Sequence, residues 1–302
     1  MSYDLFFCRT DPNPLRTDEV ASWASKYQSF NQAANGQLWY ANESTGVYFS
    51  LNLDGPVKDV SLDLPTGIRY TGLSFNMNYN RPTFFAYEAM PVVEDLARTL
   101  GLLICNPQTG SSEPRPADVH SLIENWSITN RSAVVLAAES QQDKPLEQAP
   151  FMPLADSLRW WQYQFRRSAL EAELMEQDVF VPNIFLLRRA GSRRVQTAIT
   201  WTPGVAMLVP EVDWGVVVRE RKRFMRPPKQ EVGYVRGSVL MELAREYLQD
   251  FDTKASCHLL PAKNVPAVNQ ILDSIELKHR LSEFVRVSVD EFQDVVEPTR
   301  VQ

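Results

Sequence analysis

Cys257 and His258 form the one adjacent cysteine–histidine pair in this sequence, a nucleophile beside a base. A cysteine–histidine dyad needs both side chains on one side of the backbone, within hydrogen-bond reach. The segment reads as a strand, in which successive side chains point to opposite faces, so adjacency counts against catalysis. His120 and His279 are isolated, and no two histidines stand three or four apart as a helical metal motif requires. Glu211 and Asp213, in Pro210-Glu211-Val212-Asp213-Trp214, are spaced to set two carboxylates on one side of an extended segment. They are the candidates for an acid–base or metal role, against the plainer reading of a strand entry with solvated charges. No GxSxG elbow, GxxxxGK(S/T) loop or GxGxxG turn occurs, and 12 glycines leave little backbone for a phosphate cradle. The sequence therefore offers no catalytic residue, no metal ligand set and no cofactor motif.

Two groups of side chains suit recognition instead. Arg188, Arg189, Arg193 and Arg194 flank a tight turn at Gly191-Ser192 and are expected to project together. Arg219, Arg221, Lys222, Arg223 and Arg226 follow, so residues 186–229 hold ten basic and three acidic residues. Such a patch can grip phosphates, dock on an acidic surface, or simply solvate a hairpin tip. The second group is Tyr48, Ser50, Asn52, Ser74, Asn76 and Asn78, on the polar faces of two alternating strands. Uncharged tyrosine, serine and asparagine side chains make the adaptable contacts typical of protein-binding surfaces. The alternative is that a second domain covers this face.

These groups need elements to hold them. Val47, Phe49, Leu51 and Leu53 alternate with Tyr48, Ser50 and Asn52, and Leu73, Phe75, Met77 and Tyr79 repeat the pattern. Alternation of this kind predicts an antiparallel sheet with one buried face. A strand at Tyr3–Cys8, a helix opening at Thr17-Asp18-Glu19 and a hairpin around Glu43–Gly46 precede the second repeat. A helix with Pro91 in its first turn and a closing strand at Leu102–Cys105 complete the pattern. The order predicts an α+β fold, with a ferredoxin-like antiparallel sheet over residues 1–107 and helices on one face. Residues 108–153 read as a linker with a helix, and 154–302 as a second α+β domain.

Charge divides the same way. Residues 1–150 carry 10 basic and 17 acidic side chains, and residues 151–302 carry 21 and 20. An acidic half argues against nucleic acid there, because phosphate binding needs cations, and it suits a cationic protein partner. RNA-binding sheets also need stacked aromatics beside cations. Three cysteines, Cys8, Cys105 and Cys257, are too few and too scattered for a disulfide framework or zinc site. No run approaches the ~18 apolar residues of a membrane span, and no signal peptide is read at the N-terminus. The expected location is the cytoplasm, with no membrane partner. The sequence leaves the oligomeric state open.

The opening Met1–Phe7 and the run Gly36–Ser50, GQLWYANESTGVYFS, resemble those of a group of uncharacterised bacterial proteins. Phe180-Val181-Pro182 and Leu208–Asp213 are similar to that group as well. The resemblance implies no catalytic residues. By likeness of character it implies an immunity protein that neutralises a bacterial toxin by direct occlusion. The competing expectations are an enzyme built on Glu211 and Asp213, and nucleic-acid binding through the 186–229 cluster.

Overall fold

The computed structural model describes residues 1–32, 37–53, 62, 64–140, 149–223, 226–252 and 256–295, with the backbone alone at 111, 112, 137–140, 221–223, 226–229 and 252. The chain divides into two units, Met1–Gln148 and Ala149–Gln302.

The first unit runs β1 (Ser2–Arg9), α1 (Thr17–Ala24), β2 (Phe30–Gln32), β3 (Leu38–Asn42), β4 (Val47–Leu53), β5 (Arg69–Asn78), α2 (Phe84–Thr99), β6 (Leu103–Asn106), β7 (Ser111–Arg115) and α3 (Val119–Ser140). Seven strands form one sheet in the order β2-β3-β4-β5-β1-β6-β7, every neighbour antiparallel. The α+β class is as expected, but the sheet is larger than a ferredoxin-like βαββαβ unit. A three-strand meander, β3-β4-β5, lies between the two helices, and β2 and β7 extend the edges.

The alternation of β4 and β5 sets the core. Val47, Phe49, Leu51, Leu73, Phe75 and Met77 are buried. Phe49 stacks on Tyr40 at 4.5 Å, and Phe30 and Phe75 close around it at 5.8 and 5.2 Å. Burying one such ring contributes about 1.5–3 kcal/mol. Helices α1 and α2 cover this face. Trp23 of α1 packs on Phe30, while Glu88 of α2 accepts hydrogen bonds from Tyr40 (2.9 Å) and Asn42 (2.7 Å) of β3. The register of β1 against β5 shifts between Phe6 and Cys8, where β5 carries extra residues including Gly72 with φ of 83°, and Phe7 and Cys8 are both buried. Thr71, next to Gly72, donates its hydroxyl to Phe7 O at 2.7 Å.

Two expectations need correcting here. Pro91 lies inside α2 rather than in its first turn. It removes the hydrogen bond that the Tyr87 carbonyl would accept, but Pro91 and Tyr87 are both exposed, so water can replace it. The stretch 108–153 is no separate linker. It supplies β7 and α3 to the first unit and begins the second. Glu94 caps α3 at the Val119 N–H (3.1 Å), and Asn130 grips Asn80 N and Arg81 O, both at 2.8 Å. Residues 141–148 of that stretch lie outside the described residues.

The second unit contains β8 (Phe151–Pro153), α4 (Leu154–Leu174), β9 (Phe185–Arg189), β10 (Val195–Trp201), β11 (Met207–Pro210), β12 (Trp214–Arg223), β13 (Arg226–Arg236), α5 (Gly237–Ala244), β14 (Gln249–Asp252), β15 (Cys257–Leu260), α6 (Val265–Ser274), β16 (Phe284–Arg286) and β17 (Gln293–Val295). Its main sheet has the order β13-β12-β10-β9-β16, with β10 and β12 parallel. Of two smaller sheets, β17-β8 flanks it in the chain and β11-β15-β14 comes from segments between its strands. The second α+β region is thus a mixed sheet. No helix among the described residues is long and apolar enough to cross a membrane.

Candidate functional site

Strand register gathers the polar side chains of the first sheet on the face opposite α1 and α2. Asp4, Asn76 and Ser50 pair across β1, β5 and β4, and Ser74 pairs with Asn52. They are tied to one another rather than splayed. Asn76 donates to Asp4 Oδ1 at 2.6 Å, and Gln37 donates to Asn52 Oδ1 at 2.5 Å. Ser50 is buried, Asn78 is exposed, and Tyr48, Asn52, Ser74 and Asn76 are half-buried.

One end of this face carries a platform that the sequence reading missed. Trp39 lies between buried Leu38 and Tyr40, so β3 turns its indole to the opposite face, where it is 39% exposed. It stacks on Tyr48 at 5.7 Å, with planes 16° apart. Tyr48 is braced by the edge of Phe85 at 5.7 Å, and Arg81 holds its hydroxyl with Nε (3.1 Å) and Nη2 (2.5 Å). The guanidinium also lies 5.6 Å from the ring centre. Asn78 reaches the same hydroxyl at 3.5 Å. Two stacked rings locked by a cation form a rigid, amphipathic surface that loses little freedom on docking. The signal available in the sequence was the phase of Leu38-Trp39-Tyr40 against the hairpin.

The four arginines beside the Gly191 turn each have a separate partner. Gly191 does turn β9 into β10, with φ of 80°. Strand alternation then parts each pair, and every guanidinium finds its own partner. Arg188 donates to Ser192 O (3.3 Å), Arg189 pairs with Glu283 (2.9 Å), Arg193 donates to Ala149 O (3.1 Å), and Arg194 pairs with Asp156 (3.3 Å). Arg219, from the same run, is buried and caps a helix end. The side chains of Arg221, Lys222, Arg223 and Arg226 lie outside the described residues.

Glu211 and Asp213 both line a cavity of about 340 Å³ in the second unit, beside Asp156, Arg159 and the first turn of α5. Asp213 is committed to structure there. Its Oδ2 accepts from Thr197 N (2.8 Å) and Oγ1 (3.0 Å), and its own N–H donates back to Thr197 Oγ1 at 3.1 Å. Cys257 is buried, whereas His258, on the next position of β15, pairs with Asp250 at 3.2 Å, so the two are not joined as a dyad. Cys8 and Cys105 are buried and their Sγ atoms lie 3.8 Å apart. Burial pushes both thiols up, which keeps them protonated and poor as nucleophiles. Among the described residues no group of three or more His, Cys, Asp and Glu side chains is arranged to hold a metal.

No family model, no curated protein and no solved structure matches the chain.

Proposed function

We propose that this protein is a non-catalytic binding protein, and that the polar face of its first sheet occludes a cationic protein partner. The single observation that carries this reading is the Trp39–Tyr48 stack. It is a preformed aromatic anchor beside a hydrogen-bonded row of Asn and Ser side chains. Aromatic anchors of this kind supply much of the affinity at protein interfaces, and the polar row supplies register. The net charge of −7 over residues 1–150 supports a basic partner, through steering of the encounter.

On this reading the partner is a secreted bacterial toxin domain, neutralised in the cytoplasm by stoichiometric coverage of its active site. The sparse cysteines, none of them in a disulfide, support residence in a reducing compartment. The test is binding of the intact protein to purified basic toxin domains with pI above about 9, followed by interferometry and toxin activity. The expected result is a one-to-one complex with the toxin silenced. Trp39→Ala should weaken it by about 2 kcal/mol or more, and added salt should slow association more than it speeds dissociation. A toxin complex indifferent to Trp39→Ala and to Asn76→Ala would refute the assigned face.

A further inference from the structure

The cavity beside Glu211 has no place in the reading above, and its walls are unusual in how their polar groups are spent. It opens between the N-terminal half of α4, the Pro210–Asp213 segment and the start of α5. Trp160 and Tyr163 line it, yet their polar ends face away: Trp160 Nε1 donates to Ile184 O at 2.9 Å, and Tyr163 Oη donates to Pro182 O at 2.7 Å. With Thr197 and Asp213 bonded to each other, the wall divides almost evenly between polar surface and ring and aliphatic surface, the latter extended by Ile184 and Met241.

The carboxylates of the lining differ in what they meet. Asp156 is met by two guanidiniums, Arg194 at 3.3 Å and Arg159 at 3.7 Å. The Asp213 carboxylate is held by hydrogen bonds from Thr197 N and Oγ1. Glu211 is exposed, its backbone N–H donates to Ser256 O (3.1 Å), and its carboxylate makes no hydrogen bond or ion pair among the described residues. Three carboxylates and one guanidinium line the cavity in all, an excess of negative charge. A half-apolar chamber of this size, with more carboxylates than cations in its lining, matches a small organic cation with an apolar body.

We propose that this cavity is a binding site for a small aromatic or aliphatic amine, whose ammonium pairs with Glu211 while its apolar body lies against Trp160, Tyr163 and Met241. The site is independent of the sheet face of the first unit, so either assignment can fail alone.

The experiment is a ligand-detected NMR titration of the full chain with three probes of one shape: 2-phenylethylamine, 2-phenylethanol and 3-phenylpropionate. The amine should bind saturably with a dissociation constant below about 1 mM, and the alcohol and the acid about tenfold or more weaker. Glu211→Gln, a surface change that spares the fold, should cost the amine about tenfold and leave the alcohol unchanged. Met241→Trp should fill the chamber and abolish binding of all three probes. No saturable binding by about 10 mM, equal binding of the three probes, or a Glu211→Gln protein that binds the amine as before would each overturn the proposal.

Discussion

The sharpest perturbation available is at Arg219. Its side chain is only 4% exposed, and it stands where α6 ends. Nη1 donates to three carbonyl oxygens, those of Leu272 (2.8 Å), Asp273 (2.9 Å) and Ile275 (2.7 Å), and Nε pairs with Glu231 at 2.8 Å on the neighbouring strand β13. Helix carbonyls at a C-terminus lack intrahelical partners and carry partial negative charge, so one guanidinium answers both needs. Arg219→Ala removes all of these bonds and orphans carbonyls in a buried setting. Hydrogen bonds to a charged group contribute about 1.5–3 kcal/mol each in net terms, and removing one partner of a buried pair costs about 3–5 kcal/mol in total. We expect a loss of about 4 kcal/mol. Glu231 is 36% exposed and can be solvated, so Glu231→Gln should cost about 1 kcal/mol or less. Arg219→Lys keeps the charge but not the fork, and should fall between them. The assay is urea unfolding of the full chain, followed by far-UV circular dichroism and by tryptophan fluorescence. If Arg219→Ala lowers stability by under about 1 kcal/mol, the capping argument is wrong.

Other perturbations test other parts of the fold. Burial alone would raise the Asp95 carboxyl, but hydrogen bonds from Lys26, Tyr27 and Trp23 outweigh it and hold the pKa at about 2. Because the folded value is depressed, the stabilisation is complete above the unfolded value of about 4 and disappears as pH falls through 2. At 24% exposure it amounts to about 1–2 kcal/mol, which Asp95→Asn should remove at neutral pH while flattening the acid limb of stability against pH. A Cβ added at Gly237 would sit 1.8 Å from the Val212 carbonyl oxygen, so Gly237→Ala should cost about 3 kcal/mol by thermal melting and distort the cavity beside Glu211; an unchanged melting temperature would contradict that close approach.

Local pattern made much of this molecule readable. The period-two runs of β4 and β5 announce both faces of the first sheet, the turn at Gly191 is where glycine spacing puts it, and Cys257–Leu260 is a strand with its two chemical groups on opposite sides. Long-range pairing is what the sequence conceals. Nothing near Ser111–Arg115 says that it edges the first sheet, and nothing near Arg189 or Arg194 names Glu283 or Asp156 as the partners of those arginines. The candidate site followed the same rule. Tyr48, Ser50, Asn52, Ser74, Asn76 and Asn78 share a face by periodicity alone, whereas the Trp39–Tyr48–Arg81 platform needs the β3–β4 register and the Asn80 turn, whose φ is 61°. Glu211 and Asp213 are two residues apart in sequence, but only tertiary packing commits the carboxylate of one to Thr197 and leaves that of the other without a partner among the described residues.

The strand pairings of the second unit bear on how it is made. β9 waits for β16, almost a hundred residues later, and β8, where the unit begins, is zipped in parallel to β17 near its end. A ribosome must therefore deliver nearly all of this unit before its outer strands can close, leaving β9 with an unmated edge in the meantime. Birth of the protein is thus its most hazardous moment, and a nascent chain halted before Phe284 should be held by chaperones or lost to aggregation.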